Sequence, residues 1–189
     1  MIIFLLIFFN TLARKVPTKA NDLQLFNVSH FPHNNYESLS AEKFIEVQGT
    51  ANVGQHWIVL SNLENERGYV TIYDSKIDTI SKSDISGQMY QLAYEKIKEM
   101  YQLEKLTVRI ASLKHQKDGW TCGIFAMLYS LLLWYGVDPF KIGSISFDEV
   151  SFRHAVYDFM CVKITYKELL NKSTIKPLVG ERQIYDFIF

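Results

Sequence analysis

Cys122 stands in the tetrapeptide Trp120-Thr121-Cys122-Gly123, directly before the apolar run Ile124 to Tyr135. The run reads as a helix. A helix start carries unpaired N–H groups and a partial positive charge, and both favour thiolate over thiol. A nucleophilic thiolate needs a base, the base needs an orienter, and acyl transfer needs donors for an oxyanion. His56 opens a run of strand character, Asp74 closes the next one, and Gln116 lies in the polar loop that leads to Cys122. If the two runs form a hairpin, His56 and Asp74 return to the same end of a sheet, and Asp74 can fix the imidazole tautomer that faces Cys122. The Gln116 amide and the Cys122 N–H are then the candidate oxyanion donors. Gly123 removes a side chain where a substrate backbone has to come close. Together these residues meet the needs of a cysteine hydrolase.

The elements that must position this set are legible in the pattern of apolar residues. Phe44 to Val47 is a short strand candidate. His56-Trp57-Ile58-Val59-Leu60-Ser61 and Tyr69-Val70-Thr71-Ile72-Tyr73 are predicted strands, joined across the polar turn Asn62 to Gly68. Gln88 to Leu103 has apolar residues at helical spacing. Leu106 to Ala111 is a third strand, and Lys114 to Thr121 is a polar loop. The run from Cys122 to Tyr135 is apolar nearly all round, as expected of a helix buried mid-domain, with Gly136 as its C-cap residue. Ser146 and Glu149 form a Ser-x-x-Glu capping box before a further helix that runs to about Met160. The fold class predicted is α+β, as one domain with a central mixed sheet. Residues 1–43 form an atypical N-terminal segment, apolar at first and then loop-rich. Residues 44–165 form the catalytic core, and residues 166–189 a loosely packed C-terminal tail.

Composition narrows the function classes. The chain has 189 residues, 48% hydrophobic and 21% charged, with 13 Phe, 11 Tyr and 3 Trp. That supports a substantial core and argues against disorder. Twenty basic residues balance twenty acidic ones, so no electrostatic case for nucleic-acid binding exists. The two cysteines, Cys122 and Cys161, make no disulfide framework and fit a reducing compartment, with cytoplasm or nucleus as the expected location. The apolar start Met1 to Phe9 is too short to span a bilayer as a helix, and a signal peptide is the lesser alternative. Cys161 is expected to be inert packing, His154 structural, and the stripe 124–135 core. His30 and His33 flank Phe31-Pro32, a poor zinc arrangement, so no metal or cofactor is expected.

His56-Trp57, then Tyr73-Asp74-Ser75, then Gln116 and Thr121-Cys122-Gly123-Ile124-Phe125-Ala126 resemble the Ulp/SENP family, the proteases of SUMO and related ubiquitin-like modifiers. The order His, Asp, Gln, Cys matches the family and differs from that of papain-like enzymes. Tyr135-Gly136-Val137-Asp138-Pro139 and Phe152-Arg153-His154 look like its divergent invertebrate and transposon-associated branch. The likeness covers about residues 44–160. It implies a papain-like fold and a thiol protease or isopeptidase that cuts after a C-terminal Gly-Gly. Cys122 would be the nucleophile, His56 the base, Asp74 the orienter and Gln116 an oxyanion donor. The implied partner is a SUMO-like or NEDD8-like protein or its conjugate, bound by a monomer. Trp57 stands where the family has an aromatic wall around the two glycines, a wall that rejects side chains by clash. Gly123 and Trp120 complete the substrate-binding candidates. Two departures stand out. With only Trp57, Trp120 and Trp134 present, the Trp of the family's N-terminal Trp-Leu-x-Asp-like segment has no counterpart. Thr121 stands where Asp or Ser often precedes the cysteine. The alternatives are an inactive module that binds a ubiquitin-like tail, acetyl transfer on the same fold, and polyprotein processing.

Overall fold

A computed structural model describes residues 24–27, 47–52, 56–61, 69–76, 107–180 and 184–188. The strands are β1 (Gln24–Asn27), β2 (Val47–Asn52), β3 (Trp57–Ser61), β4 (Tyr69–Asp74), β5 (Thr107–Ser112), β6 (Ile142–Phe147), β7 (Ser173–Pro177) and β8 (Ile184–Ile188). The helices are α1 (Cys122–Trp134), α2 (Glu149–Met160) and α3 (Tyr166–Leu170), with a 3-10 turn at Pro139–Lys141. Helices and sheets are mixed along the chain, compatible with the expected α+β class.

Among the described residues one sheet has six strands in the order β1-β2-β3-β4-β5-β8. Its pairings are mixed. β1 runs parallel to β2 and β4 parallel to β5, while the β2–β3, β3–β4 and β5–β8 pairs are antiparallel. β3 is buried at every residue and β4 at all but Tyr69, which is why both read as near-continuous apolar runs rather than alternating ones. Val59 faces Tyr73 and Ser61 faces Thr71 across the expected antiparallel pair. This register carries the start of β3 to the end of β4. The parallel β4–β5 pair sets Asp74 opposite Ser112, so the chain leaves β5 beside the residues that follow Asp74.

Helix α1 lies on this sheet against β3 and β4. Its side chains from Cys122 to Leu133 are all buried. It therefore packs between the sheet and a second layer that includes Phe140, Ile145, Phe152, Val156 and Phe159. Each such large apolar side chain contributes about 1.5–3 kcal/mol relative to exposure. At its C-terminus Gly136 takes φ +71°. The Gly136 N–H donates to the Leu133 carbonyl and the Val137 N–H to that of Leu132, both at 2.9 Å. This is a Schellman stop, which explains why glycine follows the apolar run.

The second sheet pairs β6 with β7 and has an irregularity between Ile142 and Ser144. A Cβ on Gly143 would sit 2.7 Å from the Pro177 carbonyl oxygen, so the strands approach there only because residue 143 is glycine.

Several expectations change. The segment expected as a loose tail supplies α3, β7 and β8, because its apolar residues find partners in α2, β6 and β5. The Ser146–Glu149 capping box does not form. Ser146 belongs to β6, and Asp148 caps α2 by accepting from the Ser151 N–H at 2.8 Å. Of the short strand expected over 44–47, Val47 opens β2, and residues 44–46 lie outside the described residues. Within the atypical first segment, β1 is a strand that the sequence pattern did not indicate. The expected helix at 88–103, the apolar start and the His30/His33 pair lie outside the described residues. Among the described residues no helix is long and apolar enough to cross a membrane.

Candidate active site

The antiparallel return of β3 and β4 brings His56 to Asp74. His56 Nε2 donates to Asp74 Oδ1 at 2.8 Å. The same oxygen accepts the Lys76 N–H at 2.8 Å, and Asp74 is wholly buried. With Nε2 held by the carboxylate, Nδ1 is the nitrogen left for the thiol, and His56 and Cys122 lie close enough for each to shift the other's pKa. The backbone N–H groups of Trp57 in β3 and Gly123 in the first turn of α1 also favour the charged form of the thiol.

The electrostatics of the pair run in opposite directions. Burial would lower the His56 pKa, but the hydrogen bonds to Asp74 and Cys122, with their charges, push it up to about 9. Burial would raise that of Cys122, but the His56 hydrogen bond, the Trp57 N–H, the imidazolium charge and the Gly123 N–H together hold it below the ordinary thiol value. The form favoured by both is a thiolate–imidazolium pair, whose protons titrate jointly. That pair combines a nucleophile with a general acid, which suffices to attack a carbonyl and protonate its leaving group.

Gln116 enters the site by a clamp on the residue after Asp74. Its N–H donates to the Ser75 carbonyl and its Oε1 accepts from Ser75 Oγ, both at 2.8 Å. The end of the amide that faces Ser75 is fixed from the other side, where only acceptors are present. The Nε2 group donates to the Asp118 carbonyl at 2.8 Å and to Asp118 Oδ1 at 3.2 Å. The preceding His115 is buried between the Tyr129 hydroxyl on α1, 2.8 Å from Nδ1, and the Ile142 carbonyl, 2.9 Å from Nε2. A carbonyl only accepts, so Nε2 of His115 carries a proton. The loop leading to Cys122 is thus pinned to β4, α1 and β6.

Thr121 precedes α1 but its side chain does not cap the helix. Its hydroxyl lies 2.8 and 2.9 Å from the two Asp118 carboxylate oxygens instead. The Cys122 N–H lies in the first turn, where no intrahelical carbonyl is available to it.

The structure brings His56, Asp74, Cys122 and Gln116 into one neighbourhood. Trp57 also lies there, but its side chain is only 5% exposed and packs in the core beside Tyr73 and Cys122. Trp120 is 65% exposed, with its indole N–H 3.3 Å from Glu149 Oε2. Cys161, expected in the core, is exposed at the end of α2, and both cysteines are free. Two residues of the neighbourhood went unassigned in the sequence. Ser75 stands in the sequence only as the last residue of Tyr73-Asp74-Ser75. Asp118 lay in the loop, where Asp118-Gly119 is a turn signal that marks a carboxylate with local work to do. Among the described residues no group of His, Cys, Asp and Glu is placed to hold a metal ion.

No protein-family model matches the chain, and no curated protein matches it.

Proposed function

We propose that the chain is a thiol-dependent acyl hydrolase with a papain-like arrangement of sheet and nucleophile helix. More particularly, we propose a protease or isopeptidase that cuts after the C-terminal Gly-Gly of a ubiquitin-like modifier, SUMO-like first and NEDD8-like second. The observation that carries the reading is the line Asp74–His56–Cys122, with the 2.8 Å carboxylate–imidazole bond at one end and, at the other, a thiol at the start of α1 whose pKa is lowered by His56 and by the N–H groups of Trp57 and Gly123. The chain order and the motif resemblance support the narrower substrate.

In this reading the Cys122 thiolate attacks the carbonyl carbon of the second glycine. The oxyanion accepts from the Cys122 N–H and from Gln116. His56 then gives its proton to the leaving amine, which departs and leaves a thioester. Water, deprotonated by His56, attacks the thioester carbonyl and releases the modifier and the thiolate, while Asp74 keeps the ring oriented throughout. No cofactor enters these steps, and a reducing compartment such as cytoplasm or nucleus keeps the thiol available.

The test is a panel of SUMO, NEDD8 and ubiquitin bearing C-terminal electrophiles, applied to wild type and Cys122→Ala. Labelling of wild type by one member, absent in the variant, is expected; labelling that survives the substitution refutes it. A second reading, a module that binds a ubiquitin-like tail without cutting it, is favoured by the burial of Trp57 and by the engagement of both Gln116 amide hydrogens with Asp118. Measurable binding of a modifier without any labelling would select it.

A further inference from the structure

The carboxylate of Asp118 gathers four donors of the loop before Cys122. Oδ1 accepts from the Trp120 N–H at 2.9 Å, the Thr121 N–H at 2.8 Å, Thr121 Oγ1 at 2.8 Å and Gln116 Nε2 at 3.2 Å. Its own carbonyl takes the other Gln116 amide hydrogen at 2.8 Å. We propose that Asp118 is the positioning residue of the oxyanion site, fixing the loop so that the Gln116 amide and the Cys122 N–H converge on one point. This inference rests on the reading of Cys122 as an acyl-transfer nucleophile.

The hydrogen-bond lengths say how the arrangement works. Gln116 is anchored on its oxygen side by Ser75 and on one amide hydrogen by the Asp118 carbonyl. The remaining hydrogen makes the longest contact of the group, to a carboxylate oxygen that already has three shorter partners. That hydrogen is the one an oxyanion can take or share with least loss, while the rest of the amide stays in place. By accepting from the N–H groups of Trp120 and Thr121, Asp118 also fixes the backbone directly before Cys122. Thr121 leaves the helix end uncapped because its hydroxyl is bound to Asp118. Burial would raise the Asp118 pKa, but the N–H groups of Thr121 and Trp120 and the two side-chain donors hold it below the usual value. The group is therefore ionised at neutral pH, with its charge taken up by these donors.

Alkylation of Cys122 by iodoacetamide needs the thiolate but no oxyanion donor. Acylation by p-nitrophenyl acetate needs both: Sγ bonds to the acetyl carbon, the ester C–O bond breaks, and p-nitrophenolate leaves. The ratio of the two rates therefore isolates the oxyanion site. It is measured in a Cys161→Ser background for wild type, Asp118→Ala and Asp118→Asn, with the nitrophenolate burst followed by stopped flow. Asp118→Ala is expected to lower the acylation-to-alkylation ratio about tenfold or more, with alkylation within about twofold of wild type if the ion pair is undisturbed. Asp118→Asn, which keeps an acceptor oxygen in place, should hold the ratio within about threefold of wild type. An unchanged ratio in Asp118→Ala, equal losses in both rates, or a loss in Asp118→Asn as deep as in Asp118→Ala overturns the proposal. If Asp118→Ala does not fold, Thr121→Val removes only the hydroxyl arm and should lower the ratio about threefold; no change there overturns it. Wild type that alkylates but gives no burst overturns the acyl-transfer reading and the role of Asp118 with it. A burst without labelling by any modifier electrophile overturns only the assigned substrate.

Discussion

Replacing Asp74 by Asn tests the ion pair most directly. Asp74 is the main group that raises His56, through the 2.8 Å bond that its wholly buried carboxylate accepts and through its charge. With His56 at about 9, roughly 90% of the imidazole is protonated at pH 8. In the variant the carboxylate contribution disappears, and burial acts against what remains of the Cys122 contact. If those two offset each other, His56 returns to its ordinary 6.5, and only about 3% is protonated at pH 8. The charge that stabilises the Cys122 thiolate is then present about thirtyfold less often. The assay is the pH dependence of Cys122 alkylation by iodoacetamide between pH 5 and 10, with Cys161→Ser in all proteins. In wild type the rate should rise below the ordinary thiol value of 9.0. In Asp74→Asn the rising limb should move to higher pH, with the largest loss at pH 6 to 8. Hydrolysis of a Gly-Gly substrate should fall at least as far, because the amide also unsettles the tautomer. Alkylation curves that superimpose for the two proteins would refute the reasoning, since the carboxylate would then have no hold on the thiol.

The remaining predictions concern the frame around the pair. The raised value of His56 means that its contribution to stability is fully present below pH 6.5 and is lost as pH rises through about 9. Thermal unfolding followed by circular dichroism should show a decline between about pH 6.5 and 9, of about 1–2 kcal/mol after solvent screening, that Asp74→Asn flattens. The depressed thiol of Cys122 has the opposite sign, losing its contribution as pH falls, so it offsets part of this decline, and the difference between wild type and Asp74→Asn is what reports His56. Ser75→Ala removes the hydroxyl that holds Gln116 Oε1; urea unfolding should show a loss of about 1–3 kcal/mol, and kcat should fall more than KM rises. Gly143→Ala forces a Cβ against the Pro177 backbone and should destabilise by about 1–3 kcal/mol in the same assay, with the Cys122 alkylation profile unchanged.

The nucleophile helix and the β3–β4 pair were legible because burial on all sides leaves continuous apolar runs, and because Gly136 marks where α1 has to stop. His56 and Asp74 were legible as a pair because an antiparallel return places the first residue of one run beside the last of the next. What stayed hidden depended on contacts distant in sequence. β8 is a short strand whose partner, β5, lies far back in the chain, so no local pattern announces it. Ser146 and Asp148 both offered a capping oxygen before α2, and β6 decided between them by taking Ser146 into its pairing with β7. Ser75 and Asp118 carry no signature of their own chemistry. Their place beside Gln116 follows from the parallel β4–β5 register, which delivers the loop onto the end of β4.

Helix α1 has no face turned to water along its buried length. Any excursion that lifts it from the sheet exposes Leu, Ile, Phe and Met side chains and breaks the contacts around Cys122 in the same event. Thermal inactivation and aggregation of this protein should therefore share one onset, and neither return of activity after cooling nor a soluble inactive form should accumulate beyond that temperature.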